Sequence, residues 1–197
     1  VPRKHFDFWR DAICDVFVQL DAERDCRGGA FCGQIQVEPL ADLVISDLTS
    51  EQQQVTRSRR QIARAREEIM LVSLQLEGEG LVEQDGRAAH LRPGDFALYD
   101  SIRPYQLRFK DRFRQLVLHM PRHCLAGRLT APHTATARRV AGDSPIGAIT
   151  GAYLRALAGR AGRLEPAIAL DLSERTYDLL ALAADRGVAV TPQGAAA

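Results

Sequence analysis

No apolar run in this chain is long enough to cross a bilayer: the longest, IMLVSLQL, falls far short of the roughly 20 residues a spanning helix needs. No basic stretch followed by an apolar segment and a small-residue cleavage site opens the sequence, so no membrane association is expected and the cytoplasm is the expected location. Charge of one sign is lacking as well. Lysine plus arginine number 26 against 25 acids, a net charge of +1, which removes the global electrostatic footprint of a protein that grips nucleic acid or an anionic membrane by itself. The four cysteines (Cys14, Cys26, Cys32, Cys124) form neither a CxxC pair nor a disulfide-dense framework and read as reduced structural thiols. Enzyme signatures are absent: there is no G-x-S-x-G, no P-loop, no H-E-x-x-H, no paired carboxylates on an apolar strand, and no His-x-His pair among the five histidines.

What is present is turn chemistry and short apolar runs. With 197 residues, 46% of them hydrophobic, the chain can bury a core as one domain, with or without an appendage. Phe6, Trp9, Ile13, Phe17 and Leu20 recur at helical spacing, so residues 5–21 read as an amphipathic helix that packs on the rest of the domain. The segment RDCRGGAFCG breaks that pattern. From Gln34 the period drops to two, and about nine short strands succeed one another, including QQVTRSRRQI, IMLVSLQL, FALYD, YQLRF and FRQLVLHM. EGEG and QDGR carry hairpin chemistry, and RPGD places proline and glycine as a type II turn requires. Strands at this spacing suggest a sandwich or a barrel.

After Pro121 the pattern is helical again: PRHCLAGRL, then SPIGAITGAYLRALAGRAG with a Ser cap and Pro at the first helical position, then EPAIALDLSERTYDLLALAADRG. The last helix has two apolar faces, one holding Ile168, Leu172, Leu179 and Leu182, the other Leu170, Tyr177, Leu180 and Ala184. Two faces call for two partners, and the first set is expected to make a homodimer. The expected divisions are residues 1–28, 29–120, 121–186, and a linker beginning at 187–197. The valine start and the TPQGAAA end read as cut points in something longer.

The run LEGEGLVEQDGRAAHLRPGDFALYDSIRPYQLRF resembles the sensor domain of AraC-type bacterial transcription regulators, in the AraC-binding-like branch. The DGR and LRPGDFALYDSIRPY elements carry the likeness in one order and spacing. It extends more loosely through QLVLHMPRHCLAGRL and covers residues 5 to about 186. The resemblance implies an α+β fold: a cupin-like jelly-roll barrel that senses an effector, with an N-terminal helix and a C-terminal helical segment that dimerises. It also implies a helix-turn-helix domain outside this chain, through which alone DNA would be read.

Set beside metal-binding cupins, the slot for the histidine after the Gly-Asp turn falls on Tyr105, and the His-x-His slot falls on Arg57 and Arg59, which cannot ligate a metal. No cofactor is therefore expected. By likeness to arabinose-sensing relatives, Tyr99, Tyr105 and Arg114 complete a ligand-binding set with Arg57 and Arg59. If Arg57 faces inward with no acid beside it, its charge calls for an anionic ligand, so a small, partly apolar organic acid is the expected effector class. Two other readings of these residues stay open. The arginines can be a solvated edge strand, and Tyr105, Leu107 and Phe109 can be plain core. Arg60 and Arg64 also fit the Arg-x-x-x-Arg element of some cyclic dinucleotide receptors. At the level of the whole protein, a metal-dependent cupin enzyme and a filled barrel that only dimerises are the competing functions.

Overall fold

The computed structural model describes residues 2–24 and 31–186. The glycine-rich segment with Cys26 and the expected linker at 187–197 lie outside the described residues. The chain opens with α1 (Pro2–Val16), followed by β1 (Asp21–Glu23), β2 (Gly33–Leu40), β3 (Leu43–Ser50) and β4 (Gln53–Arg57). A single turn, α2 (Arg59–Ile62), interrupts the strands before β5 (Ile69–Glu77), β6 (Gly80–Gln84), β7 (Arg87–Leu91), β8 (Phe96–Asp100), β9 (Tyr105–Phe109) and β10 (Phe113–Pro121). Then come α3 (Arg122–Ala126), α4 (Pro132–Ala135), α5 (Pro145–Ala158) and α6 (Pro166–Arg186).

The strands form two antiparallel five-stranded sheets, ordered β1-β4-β9-β6-β7 and β2-β3-β10-β5-β8. Face to face they make the jelly-roll barrel of an α+β fold. Asp85 and Gly86 both take positive φ (52° and 72°), the type I′ geometry that Asp-Gly supplies to the β6–β7 hairpin. Gly94 sits at φ 97° in the Arg92–Asp95 turn, which closes with the Asp95 N–H bonded to the Arg92 carbonyl at 2.9 Å.

The middle strands of the second sheet are buried on both sides, which explains why β5 is apolar at six of its first eight positions. Met70, Val72 and Leu74 face a core shared with α5 and α6, whereas Ile69, Leu71 and Ser73 face the barrel. A strand covered on one side alternates; this one has no solvent face, and its two polar residues, Ser73 and Gln75, are both buried.

Several sequence expectations are corrected. The N-terminal helix ends at Val16 rather than residue 21, and the described residues hold ten strands, β1 being too short to leave a periodic trace. The strand read through QQVTRSRRQI stops at Arg57, because Ser58 and Gln61 form a capping box that starts a helical turn at Arg59.

Candidate functional site

Three inward positions of β4 meet three of β9 in register: Gln53 opposite Phe109, Val55 opposite Leu107, and Arg57 opposite Tyr105. These pairs stack as layers along the barrel. A void of about 30 Å³ remains between them, bounded also by Tyr99, Gln115, Ile13 of α1 and Phe17 just after it. That is space for a water, not for a metabolite. Helix α1 lies over the barrel with Phe6, Trp9 and Ile13 buried, and the Trp9 indole N–H donates to the Gln53 side-chain oxygen at 2.9 Å.

Arg57 is 1% exposed. Its Nε donates to the Ser101 carbonyl at 2.7 Å and its Nη1 to the Gln19 carbonyl at 2.5 Å, so the guanidinium ties the segment after α1 to the turn after β8. Nη2 is buried with no partner, and no carboxylate pairs with this arginine among the described residues. Burial pushes its pKa below the ordinary guanidinium value. The Tyr99 ring lies 4.9 Å from that of Tyr105, and the Tyr99 hydroxyl meets Ser73 Oγ at 3.0 Å. Burial raises the Tyr99 pKa to about 12 and raises that of Tyr105 as well, so both hydroxyls are neutral near neutral pH and can donate.

The structure therefore brings together Arg57, Tyr99 and Tyr105 and separates the other two arginines from them. Arg59 is exposed at the start of α2, because the strand alternation that would have turned it inward has already ended. Arg114 faces away from the barrel: its Nε and Nη2 bind both carboxylate oxygens of Asp47 at 2.9 and 2.7 Å, raising its pKa, and it shares its face with Leu116 and Leu118 of the helix-side core. The inward residues of β10 are its neighbours Gln115 and Val117. Arg60, Arg64 and Arg66 are exposed.

Sequence reasoning missed Gln53, Gln115 and His119. Gln53 could have been found, since it stands four residues before Arg57 and must share its face. His119 lies on the barrel side of β10 with its ring 6.1 Å from Phe17 and its Nδ1 buried without a partner. Burial lowers its pKa, with Glu67 opposing the shift.

The turn motif has a structural task. Asp95 accepts from Arg139 Nε and Nη2 at 2.6 and 3.0 Å and from the backbone N–H groups of Gly142 and Arg92 at 2.8 and 2.9 Å. Burial alone would raise this carboxyl, but those bonds outweigh it and hold the pKa below the usual range. A Cβ on Gly142 would come within 2.4 Å of the Gly94 backbone, so two glycines let the turn and the passing chain touch. Arg87 donates to the carbonyls of Thr136 and His133, both at 2.8 Å, and Arg103 pairs with Asp85. Ala137 and Val140 then bond the edge of β8 at Leu98 and Phe96. The motif thus straps residues 131–142, the lead into α5, to the barrel.

On α6, Ile168 and Leu182 are 47% and 50% exposed and Leu172 and Leu179 are half-buried, while Tyr177 and Leu180 are buried in the helix-side core with Ala184. Leu170, expected with Tyr177, is exposed at 55%. Among the described residues no three His, Cys, Asp or Glu side chains gather where they could hold a metal. No helix among them is long and apolar enough to cross a membrane.

Residues 9–184 match the family described as the AraC-binding-like domain. The chain is 40% identical over 182 residues to an "uncharacterized protein in nit 5′ region" of Bacillus sp. (strain OxB-1), covering 92% of this chain and 70% of that protein. It is 32% identical over 155 residues to the transcriptional activator NphR of Rhodococcus sp., covering 78% of this chain and 46% of that protein. The chain thus spans under half the length of NphR. In fold it is similar to the crystal structure of the AraC-like transcriptional activator CuxR, with a TM-score of 0.82 at 20% identity, over 97% of this chain and 68% of that one. By its barrel, its strapped helices and the match across nearly all of its described length, the chain belongs to the AraC-binding-like family of regulator sensor domains.

Proposed function

We propose that this domain is the effector-sensing and dimerising half of a cytoplasmic transcription regulator. In this reading it carries out no catalysis, it takes a small organic acid into the barrel, and it governs a helix-turn-helix domain beyond this chain. The observation that carries the ligand class is Arg57. A buried guanidinium with one nitrogen unpartnered and no internal acid is expensive to keep, and a carboxylate matches its free donor. Tyr105, opposite it, supplies a second neutral donor and an apolar ring. For dimerisation, Ile168, Leu172, Leu179 and Leu182 form a stripe at steps suited to a helix seam, partly open to solvent in a single chain.

The barrel void of about 30 Å³ favours a second reading, a filled barrel that binds nothing. The two separate cleanly. In the first, α1 lifts and an acid enters. The test is a thermal-shift screen of the full-length regulator against carboxylic acids, sugars and cyclic dinucleotides, repeated on Arg57→Ala and Tyr105→Phe. An acid at about a hundred times its dissociation constant adds about 2.7 kcal/mol to the folded state. That shift should vanish in Arg57→Ala. A sugar or nucleotide as the sole hit, or an acid indifferent to Arg57, removes the acid assignment, and no hit at all favours the filled barrel. Light scattering on Leu182→Glu should show monomers where the parent is dimeric.

A further inference from the structure

The barrel has a second polar end, and it faces the arginine end across an apolar middle. Gln53 and Gln115 stand in the layer with Phe109, four residues along β4 from Arg57, while Val55 and Leu107 fill the layer between. Both glutamines are buried, at 3% and 1% exposure. Each uses one end of its amide: the Gln53 oxygen accepts from Trp9, and the Gln115 nitrogen donates to the Gln75 oxygen at 2.7 Å. The opposite amide atom of each, the Gln53 nitrogen and the Gln115 oxygen, has no hydrogen-bond partner among the described residues. Neither atom is among the buried unpartnered ones, so each borders open space, the void or the groove outside it, and is placed to make a hydrogen bond with what enters there.

Gln53 and Phe109 also line a second, open groove of about 780 Å³ on the outside of the barrel, next to the 77–80 and 108–111 turns. They are therefore the wall between the outside and the interior void. The arginine end, by contrast, is closed by Gln19 and the β8–β9 turn.

We infer that Gln53 and Gln115 determine specificity by reading a hydrogen-bonding group at the far end of an elongated acid whose carboxylate sits on Arg57. This rests on the acid reading of the barrel. The span comes from strand geometry: four residues at about 3.3 Å each separate the two layers by about 13 Å. Two hydrogen bonds of about 2.9 Å leave about 7 Å between the ligand's two polar ends. A single para-substituted ring or a short carbon chain bridges that distance, and its apolar body lies against Val55 and Leu107. The ligand enters past Phe109 with its carboxylate leading, and its trailing group replaces Trp9 as the partner of Gln53. Release of Trp9 frees the only side-chain hydrogen bond that holds α1 to a barrel strand among the described residues.

The test compares two acids of matched shape, 4-(hydroxymethyl)benzoate and 4-ethylbenzoate, titrated into the full-length regulator by calorimetry. The hydroxymethyl acid should bind about fivefold tighter or better, the worth of one net hydrogen bond. Gln115→Leu, and Gln53→Leu beside it, should erase that preference while keeping affinity for the ethyl acid. Arg57→Ala should weaken both acids alike. Equal binding of the two acids by the parent, or a preference that survives both glutamine changes, overturns this inference and leaves the acid reading standing. Binding of neither acid to the parent overturns this inference as well, while the acid reading stands or falls with the wider carboxylic-acid screen. If a glutamine variant fails to fold, the parent's ratio between the two acids decides.

Discussion

On the helix side of the second sheet sit Leu43, Ile45, Met70, Val72, Leu74, Phe96, Leu98, Leu116, Leu118 and Met120, packed against Leu154, Leu157 and Leu180. On the barrel side of the same strands sit Ser46, Ser73, Gln75, Gln115 and His119 among Leu48, Leu71 and Val117. The two sides share one backbone, so neither propensity nor topology explains the difference. Toward the helices the buried strand residues are apolar except Asp100 at the end of β8, whose carboxylate is paired with Arg122 and Arg103. Toward the barrel the polar atoms are buried, and Ser46 Oγ, His119 Nδ1 and, from the facing sheet, Arg57 Nη2 lack partners. The first surface is organised for stability. The second gives up stability for donors and acceptors aimed at an interior, which is where a ligand-reading function would be kept.

The largest effect should come from the helix side. Phe96 is fully buried there, and Phe96→Ala should cost about 3–5 kcal/mol. Chemical denaturation measures it. A loss under about 1 kcal/mol would mean that the helices do not press on this sheet in solution.

Next in size is the strap between the two regions. Asp95→Ala leaves the Arg139 guanidinium and the N–H groups of Arg92 and Gly142 unpaired, at a cost of about 2–3 kcal/mol. The sign with pH is fixed. A carboxyl whose folded pKa is depressed contributes stability above its unfolded value and loses it as pH falls through the folded one, so acid should narrow the gap between parent and variant. A gap unchanged down to about pH 3 would show that the carboxylate is not what holds the turn.

Much of this was legible in the sequence, for identifiable reasons. The Asp85-Gly86 hairpin, the Pro93-Gly94 turn and the Ser144-Pro145 helix start each rest on local backbone chemistry, which a sequence displays directly. Alternation put Arg57 on one face of β4 without saying which face looks inward, and it could not orient Arg114, since a strand buried on both faces gives no polar phase by which to set its register. Arg59 was misplaced because Ser58 and Gln61 form a capping box that cuts the strand one residue earlier. The exposed Leu170 reflects the same ambiguity on a helix with two apolar faces. Gln53 shares the face of Arg57 by spacing alone, whereas His119 and Gln115 gave no signal of their own; their meaning comes from surroundings that only three dimensions reveal.

Arg57→Met sharpens the comparison from the barrel side. Replacing a buried charge that has two carbonyl partners and one orphan nitrogen with an apolar side chain of similar length should change stability by about 1 kcal/mol or less, in contrast to Phe96→Ala. Acid binding should disappear in the same variant. A large destabilisation with binding intact would make Arg57 a structural latch between Gln19 and Ser101 and no more.

The smallest effect is expected at His119, and it is visible only as a slope. Burial lowers its pKa, so the folded protein holds the imidazole neutral against Phe17 where the unfolded chain would take up a proton. The facing charge is Glu67, which pulls the other way without reversing the shift; Val44 and Leu71, its cross-strand neighbours, are apolar. The unfolded state then binds more protons below its ordinary pKa of about 6.5, and stability falls as pH drops through that value toward the lower folded one. Denaturant midpoints from about pH 7.5 to about pH 5 should therefore decline less steeply in His119→Gln than in the parent, with the two alike on the alkaline side. Superimposable curves would mean that His119 is solvated, and that Phe17 and the end of α1 do not close this side of the barrel in solution.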